Sequence, residues 1–95
     1  MKLSAIIIAK NGEELIGDCL KSLSFCDEII VVDNDSQDKT VAIAKKAGAK
    51  IIKSTLNNFA EQRNIGLRAA KGEWILYVDT DERVDDKLKI QILKL

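Results

Sequence analysis

Two carboxylates one residue apart, Asp79 and Asp81, abruptly close a run of large apolar residues, Trp74-Ile75-Leu76-Tyr77-Val78. Carboxylates spaced Asp-x-Asp on a turn can share one hard divalent cation, since Mg²⁺ is usually held by one or two carboxylates together with water and substrate phosphates. The chemistry implied is a metal that carries a phosphate. A simpler local role is also open, in which Asp79 caps the following turn and Asp81 is merely solvated. Two more polar clusters end apolar runs in the same way: Lys10 with Asn11 after Leu3 to Ala9, and Asp33 with Asp35 and Ser36 after Glu28 to Val32. Each is weak alone, because loops accept polar residues anywhere; convergence of all three on one edge would point to a nucleotide site.

The elements that must position these clusters follow from the apolar pattern. Leu3 to Ala9, Glu28 to Val32, Ala49 to Ile52 and Trp74 to Val78 are short runs with little polar alternation, the habit of strands buried on both faces of a parallel sheet. Asn11 reads as the cap of a first helix, with Glu14 at the capping-box spacing and Leu15, Cys19, Leu20 and Leu23 on one face. A second helix follows Asp33-Asn34-Asp35-Ser36, carries Val41, Ala44 and Ala47, and stops at Gly48. Asn57 and Asn58 cap a third, with Glu61 three residues after Asn58, apolar positions at Ala60, Leu67 and Ala70, and Gly72 at its end. In the tail from Val84 to Leu95, Leu88, Ile92 and Leu95 suit a helix, whereas Leu88, Ile90 and Ile92 alternate like a strand; Asp85 and Asp86 favour helix. Strand and helix thus alternate four times, which predicts an α/β, Rossmann-like parallel sheet flanked by helices and joined by right-handed crossovers. The expected strand order is 3-2-1-4, with the ends of strands 1, 2 and 4 on the rim where open α/β sheets bind ligands.

A chain of 95 residues supports one small domain. Its 46% hydrophobic and 32% charged content, without proline, is that of an ordinary globular protein. Fifteen basic and fifteen acidic residues cancel, so no overall field recruits nucleic acid or an anionic membrane. Cys19 and Cys26 are too few and wrongly spaced for a zinc site or disulfide framework, and read as reduced core thiols of a cytoplasmic protein. The apolar stretch at the N-terminus is followed by Lys10, Asn11, Glu13 and Glu14 without a small-residue cleavage site, unlike a signal peptide. Ala9-Lys10-Asn11-Gly12-Glu13-Glu14 lacks the glycines of a dinucleotide-binding turn, and no glycine-rich loop closes on Lys-Ser or Lys-Thr.

Four segments in order, Ile6-Ile7-Ile8-Ala9-Lys10-Asn11, Val31-Val32-Asp33-Asn34-Asp35-Ser36-Gln37-Asp38-Lys39-Thr40, Gln62-Arg63-Asn64 and Asp79-Thr80-Asp81-Glu82-Arg83-Val84, resemble the inverting nucleotide-sugar glycosyltransferases of family 2, in particular the branch that builds lipopolysaccharide cores. The resemblance covers almost the whole chain and implies the N-terminal half of a GT-A type glycosyltransferase fold. It implies that Ala9 and Lys10 lie along the nucleotide, that Asp33 contacts the base, and that Arg63 lies close to the nucleotide, where an arginine can pair with phosphate or stack on a base. It implies that Asp79 sits near the ribose and, with Asp81, binds Mg²⁺ or Mn²⁺. The partners implied are a nucleotide-sugar donor, a UDP-sugar in the first instance, and a glycan or lipid-linked acceptor, with the protein peripheral to the inner face of the membrane. Gly12 stands where many members have glutamate. The family's enzymes also have a further half that supplies the acceptor pocket and the catalytic base; this chain is expected to be truncated relative to them, and no base is nameable up to Leu95.

Two alternatives belong to other classes. A phosphoryl-transfer enzyme of the haloacid dehalogenase type would use Asp79 as nucleophile, but Arg83 stands where that pattern expects a small hydroxylated or apolar residue. The other is a non-catalytic nucleotide-binding module. Two structural expectations complete the reading: Asp33 serves recognition more than packing, and the uncharged edge at Trp74 to Val78 pairs with a second copy unless the tail from Leu88 covers it.

Overall fold

Each of the four apolar runs forms a strand, and the segments between them form helices. The computed structural model describes residues 2–55 and 58–94. In order along the chain come β1 (Leu3–Ala9), α1 (Ile16–Ser22), β2 (Glu28–Asp33), α2 (Thr40–Lys46), β3 (Lys50–Lys53), α3 (Phe59–Ala69), β4 (Trp74–Tyr77) and α4 (Asp86–Leu93). All strand pairs are parallel and the sheet order is β3-β2-β1-β4, as expected. β1 is central, with Ile7 opposite Val31 of β2 and Ile6 opposite Tyr77 of β4.

Because side chains alternate along a strand, the sheet has two distinct faces. On one, Ala5, Ile7 and Ala9 of β1 and Val31 of β2 pack against Ile16, Cys19 and Leu20 of α1, Leu23 beyond its end and Ala44 of α2, with Val78, Val84 and Ile92 of α4 completing the layer. On the other, Ile6, Ile30 and Val32 meet little more than Ala69 and Ala70 at the end of α3. Full burial of an isoleucine or valine is worth about 1.5–3 kcal/mol, so the first face supplies most of the apolar stabilisation.

α3 docks in a way that hydropathy did not predict. Ala60 and Leu67, assigned to its apolar side, are exposed, Ala70 is half-buried, and the buried positions are Gln62 and Gly66. The reason is close approach: a Cβ at Gly66 would lie 2.6 Å from Ile6 Cγ2, so the helix backbone rests directly on the sheet.

The start of α1 also differs. Asn11 does not cap it; the helix begins at Ile16 after a turn in which the Gly12 carbonyl accepts from the Leu15 and Ile16 N–H groups. Leu15, ahead of the helix, is consequently exposed while Ile16 takes its place in the core. Ahead of α2, Asp38, not a residue of the 33–36 cluster, accepts from the backbone and hydroxyl of Thr40, the first helical residue; Ala47, expected on the apolar side of α2, is exposed. Gly48, with φ +88°, ends α2 as expected. Asn58 caps α3 through the Glu61 N–H, and Asp85 caps α4 through the Leu88 N–H; Asn57 lies outside the described residues. The tail is therefore helical. β4 is a partly exposed edge strand rather than a strand buried on both faces: Trp74 is 48% exposed and no strand pairs with its outer edge among the described residues.

Candidate functional site

The three polar clusters do meet at the C-terminal rim, and hydrogen bonds rather than charge bring the first two together. Ala9 and Asp33 are opposite one another at the ends of β1 and β2, and the Asn34 N–H donates to the Ala9 carbonyl at 2.8 Å. Asn11, in the left-handed conformation at φ +50°, donates its N–H to Ser36 Oγ at 2.8 Å and accepts from the Gln37 N–H at 2.7 Å. Gly12 N–H donates to Thr40 Oγ1, and Glu13 N–H to Asp38. Asparagine tolerates this backbone region because its short polar side chain finds such local partners. Asn11 is thus a bridge between loops, which the capping pattern disguised.

Asp33 is only 1% exposed. Its Oδ2 accepts from the Ser36 N–H at 3.0 Å and its Oδ1 from the Ser36 hydroxyl at 2.6 Å. This corrects the expectation that Asp33 contributes little to packing: it anchors the second loop. Lys10 is exposed on the first loop beside it.

The carboxylate turn is built from backbone upward. The Val78 N–H still donates to the Ile6 carbonyl, continuing the sheet, and the chain then turns, with Glu82 N–H donating to the Asp79 carbonyl at 2.9 Å and Asp79 N–H to Glu82 Oε1 at 2.8 Å. Arg83 straps this turn to α1: Nη1 donates to the Thr80 and Glu82 carbonyls at 2.7 Å each, and Nη2 to the Leu15 carbonyl at 2.9 Å. Cys19 Sγ donates to the Asp79 carbonyl and the Val84 N–H donates to Ser22 Oγ, adding two more ties to the same helix. Burial raises the Cys19 thiol above its ordinary pKa and, with Asp27 adjacent, pushes Cys26 up to about 11, so both remain protonated core thiols. The turn leaves the Asp79 and Asp81 side chains exposed. Gly12 adjoins it, since a methyl there would lie 3.5 Å from Thr80 Cγ2, and the first loop therefore abuts the carboxylates.

A cleft of about 270 Å³ opens where the ends of β1 and β4 face the first turns of α3, lined by Ile6, Ile8, Phe59, Arg63, Tyr77, Val78, Asp79 and Glu82. It brings Arg63 and Asp79 into one cavity; Ala9, Lys10, Asp33 and Asp81 lie outside its lining. The Arg63 guanidinium sits 4.3 Å from the centroid of the Tyr77 ring. Neither Glu61 nor Glu73 forms an ion pair with Arg63; the ion pair found among the described residues is Lys50 with Glu28. Sequence reasoning missed Phe59, Tyr77 and Glu82 as cleft residues. The period-2 pattern of β4 held a signal for Tyr77, since it places residues 75 and 77 on the α3 side. A second hollow, lined by Asn11 to Leu15 and Asp38, is acidic through Glu13, Glu14 and Asp38 and unsuited to phosphate.

The family model described as Glycosyl transferase family 2 matches residues 4–95. The chain belongs to that family. Among relatives of this family 2 chain, an uncharacterized glycosyltransferase of Rickettsia bellii is 38% identical over 92 residues, 96% of this chain and 31% of the relative. The lipopolysaccharide core biosynthesis glycosyltransferase LpsC of Rhizobium meliloti is 34% identical over 94 residues, 94% of this chain and 35% of its own length. Among solved structures, residues 1–349 of Staphylococcus aureus TarS superpose with a TM-score of 0.83 at 31% identity, over 98% of this chain and 32% of that one. Glucosyl-3-phosphoglycerate synthase of Mycobacterium tuberculosis, solved with Mn²⁺, uridine diphosphate and glucosyl-3-phosphoglycerate, shares the fold at a TM-score of 0.78 and 24% identity, over 95% of this chain and 37% of that one. The sheet and its flanking helices are thus those of the GT-A glycosyltransferases, and the chain spans about a third of the length of the curated relatives it matches. Among the described residues no helix is long and apolar enough to cross a membrane.

Proposed function

We propose that this family 2 chain is the donor-binding part of an inverting glycosyltransferase, holding a nucleotide diphosphosugar, a uridine diphosphate sugar in the first instance, through Mg²⁺ or Mn²⁺. One observation carries the proposal: Arg63 of α3 and Asp79 after β4 line a single cleft at the rim where α/β sheets bind nucleotides. The donor set suits a hard cation. Asp79 and Asp81 are exposed carboxylates on one turn, and no group of three or more such side chains is arranged around a common ion among the described residues, which fits an ion that completes its shell with water and substrate phosphates. A bound metal would neutralise charge developing on the diphosphate leaving group. The mycobacterial neighbour that holds Mn²⁺ and uridine diphosphate lends support to this choice of ligands.

In this reading the Arg63 guanidinium pairs with a phosphate, Ala9 and Lys10 run along the nucleotide, and Asp33 sets the loop that meets the base and offers its remaining lone pairs to a base N–H. The transfer needs a base that deprotonates the acceptor hydroxyl. That base and the acceptor pocket, for lipopolysaccharide or another glycan or lipid-linked acceptor, belong to a further half of the protein, which would work in the cytoplasm at the inner face of the membrane. Calorimetry with uridine diphosphate, with and without Mn²⁺, tests the site: binding is expected only with the metal and is expected to be lost in Asp81→Asn. Equal affinity in both conditions, or in both proteins, overturns it.

The open outer edge of β4 supports one more partner, a second copy of the chain, because uncharged unpaired edges invite strand addition. Light scattering over a concentration series is expected to show dimer or larger species; a monomer throughout excludes the edge as an interface.

A further inference from the structure

We propose that Tyr77 is a positioning residue for the donor: its ring carries the Arg63 guanidinium and aims it into the cleft beside Asp79. This rests on the donor-site reading above and deepens it. Arg63 is exposed on α3, and a free arginine side chain loses rotamer entropy when it is fixed. Nothing polar fixes it, since Arg63 makes no ion pair or hydrogen bond with a described residue; its contact is the face of Tyr77, 4.3 Å from the ring centroid. A guanidinium held over a ring face is restrained by the ring while its N–H donors stay available to other partners. Those donors are what a diphosphate oxygen would meet.

The strand supplies the rest of the geometry. Tyr77 is the last residue of β4, two positions before Asp79, and is paired with Ile6 of β1. The cation platform and the carboxylate turn are therefore neighbours on one backbone, and the spacing between the Arg63 charge and the Asp79 charge is set by a strand end rather than by a flexible loop. Phe59, one turn before Arg63 on α3, also lines the cleft.

Binding of uridine diphosphate in the presence of Mn²⁺, measured by calorimetry on the whole chain, tests the assignment. Arg63→Ala is expected to weaken binding at least tenfold, as for loss of a charge-assisted contact. Tyr77→Leu, which keeps an apolar side chain at the half-exposed strand end, is expected to weaken it about three- to fivefold, as for loss of an exposed cation–π contact. Tyr77→Phe, which keeps the ring, is expected to bind as wild type. In a double-mutant cycle, Tyr77→Leu should have no further effect once Arg63 is alanine, which a purely structural role for Tyr77 would not produce. If Arg63→Ala weakens binding and Tyr77→Leu does not, or if the two effects simply add, the positioning role is wrong while the donor site stands. If wild type binds no diphosphate, or Arg63→Ala binds as wild type, the donor-site reading fails and this assignment falls with it.

Discussion

The two faces of the sheet are built on different principles. The face under α1, α2 and α4 is filled by branched side chains with no exposure to solvent, from Ile7 and Val31 to Ile16 and Leu23. The face under α3 has a glycine and a glutamine at its contact, and beyond the first turns of that helix it opens into the cleft that holds Arg63 and Tyr77. Dense packing suits the first because nothing has to enter it. The second trades contact area for an accessible hollow, so the residues facing a ligand are those the core can spare. The proposed donor site would thus be grafted onto the less stabilising side of the domain.

Substitutions can sharpen or break this contrast. The largest loss is expected for Ile7→Ala on the packed face, about 2–5 kcal/mol by urea denaturation, because a fully buried isoleucine leaves a cavity that its neighbours cannot close. Asp33→Ala is expected to cost about 1–3 kcal/mol, since it deprives the Ser36 N–H and hydroxyl of a buried acceptor. An unchanged melting temperature would mean that the rim carries no structural load and that Asp33 serves the ligand alone. Gly66→Ala is expected to destabilise by about 1–2 kcal/mol: overpacking against Ile6 and Val32 outweighs the helix propensity gained. A more stable alanine variant would show that α3 lifts off easily, making the second face looser still.

The smallest effect belongs to Glu28, at the opposite end of the sheet from the rim. The Lys71 N–H and then the Ser4 hydroxyl hold its carboxyl below the ordinary glutamate range. A depressed folded pKa means stability that is present above the unfolded value of 4.5 and lost as pH falls through the folded one. Glu28→Gln should therefore flatten the acid limb of the stability profile, by under about 1 kcal/mol for this half-buried group, and leave both faces otherwise alike.

Much of the fold was legible because it rests on composition that repeats. Four β-branched or aromatic runs gave the strands, and the reversal beside strand 1 gave their order. Asn58 capped where its spacing said, since a cap needs only its own next three residues, and the helix that Asp85 and Asp86 favoured does form. What could not be read were contacts made at a distance. Asn11 has the same sequence signature whether it caps α1 or bridges to Ser36 and Gln37, some 25 residues on. α3 was assigned the wrong face because Gly66 and Gln62 score as polar, while its docking depends on backbone proximity that no hydropathy scale contains. At the site, the pairing of carboxylates on one turn was visible, whereas the Arg63–Tyr77 contact joins a helix to a strand that read as fully buried.

The strap made by Arg83 has a consequence for motion. It ties the Asp79–Asp81 turn to α1, so the carboxylates ride with the part of the molecule that opens last. Arg63 rides with α3, which rests on the sheet through a glycine, a glutamine and two alanines rather than through large apolar side chains. In native-state hydrogen exchange, local openings span everything from near zero to the global free energy. The amides of α3 should therefore exchange well before those of α1. The two halves of the cleft then differ in lifetime, the cationic half being renewed many times within one persistence of the anionic half.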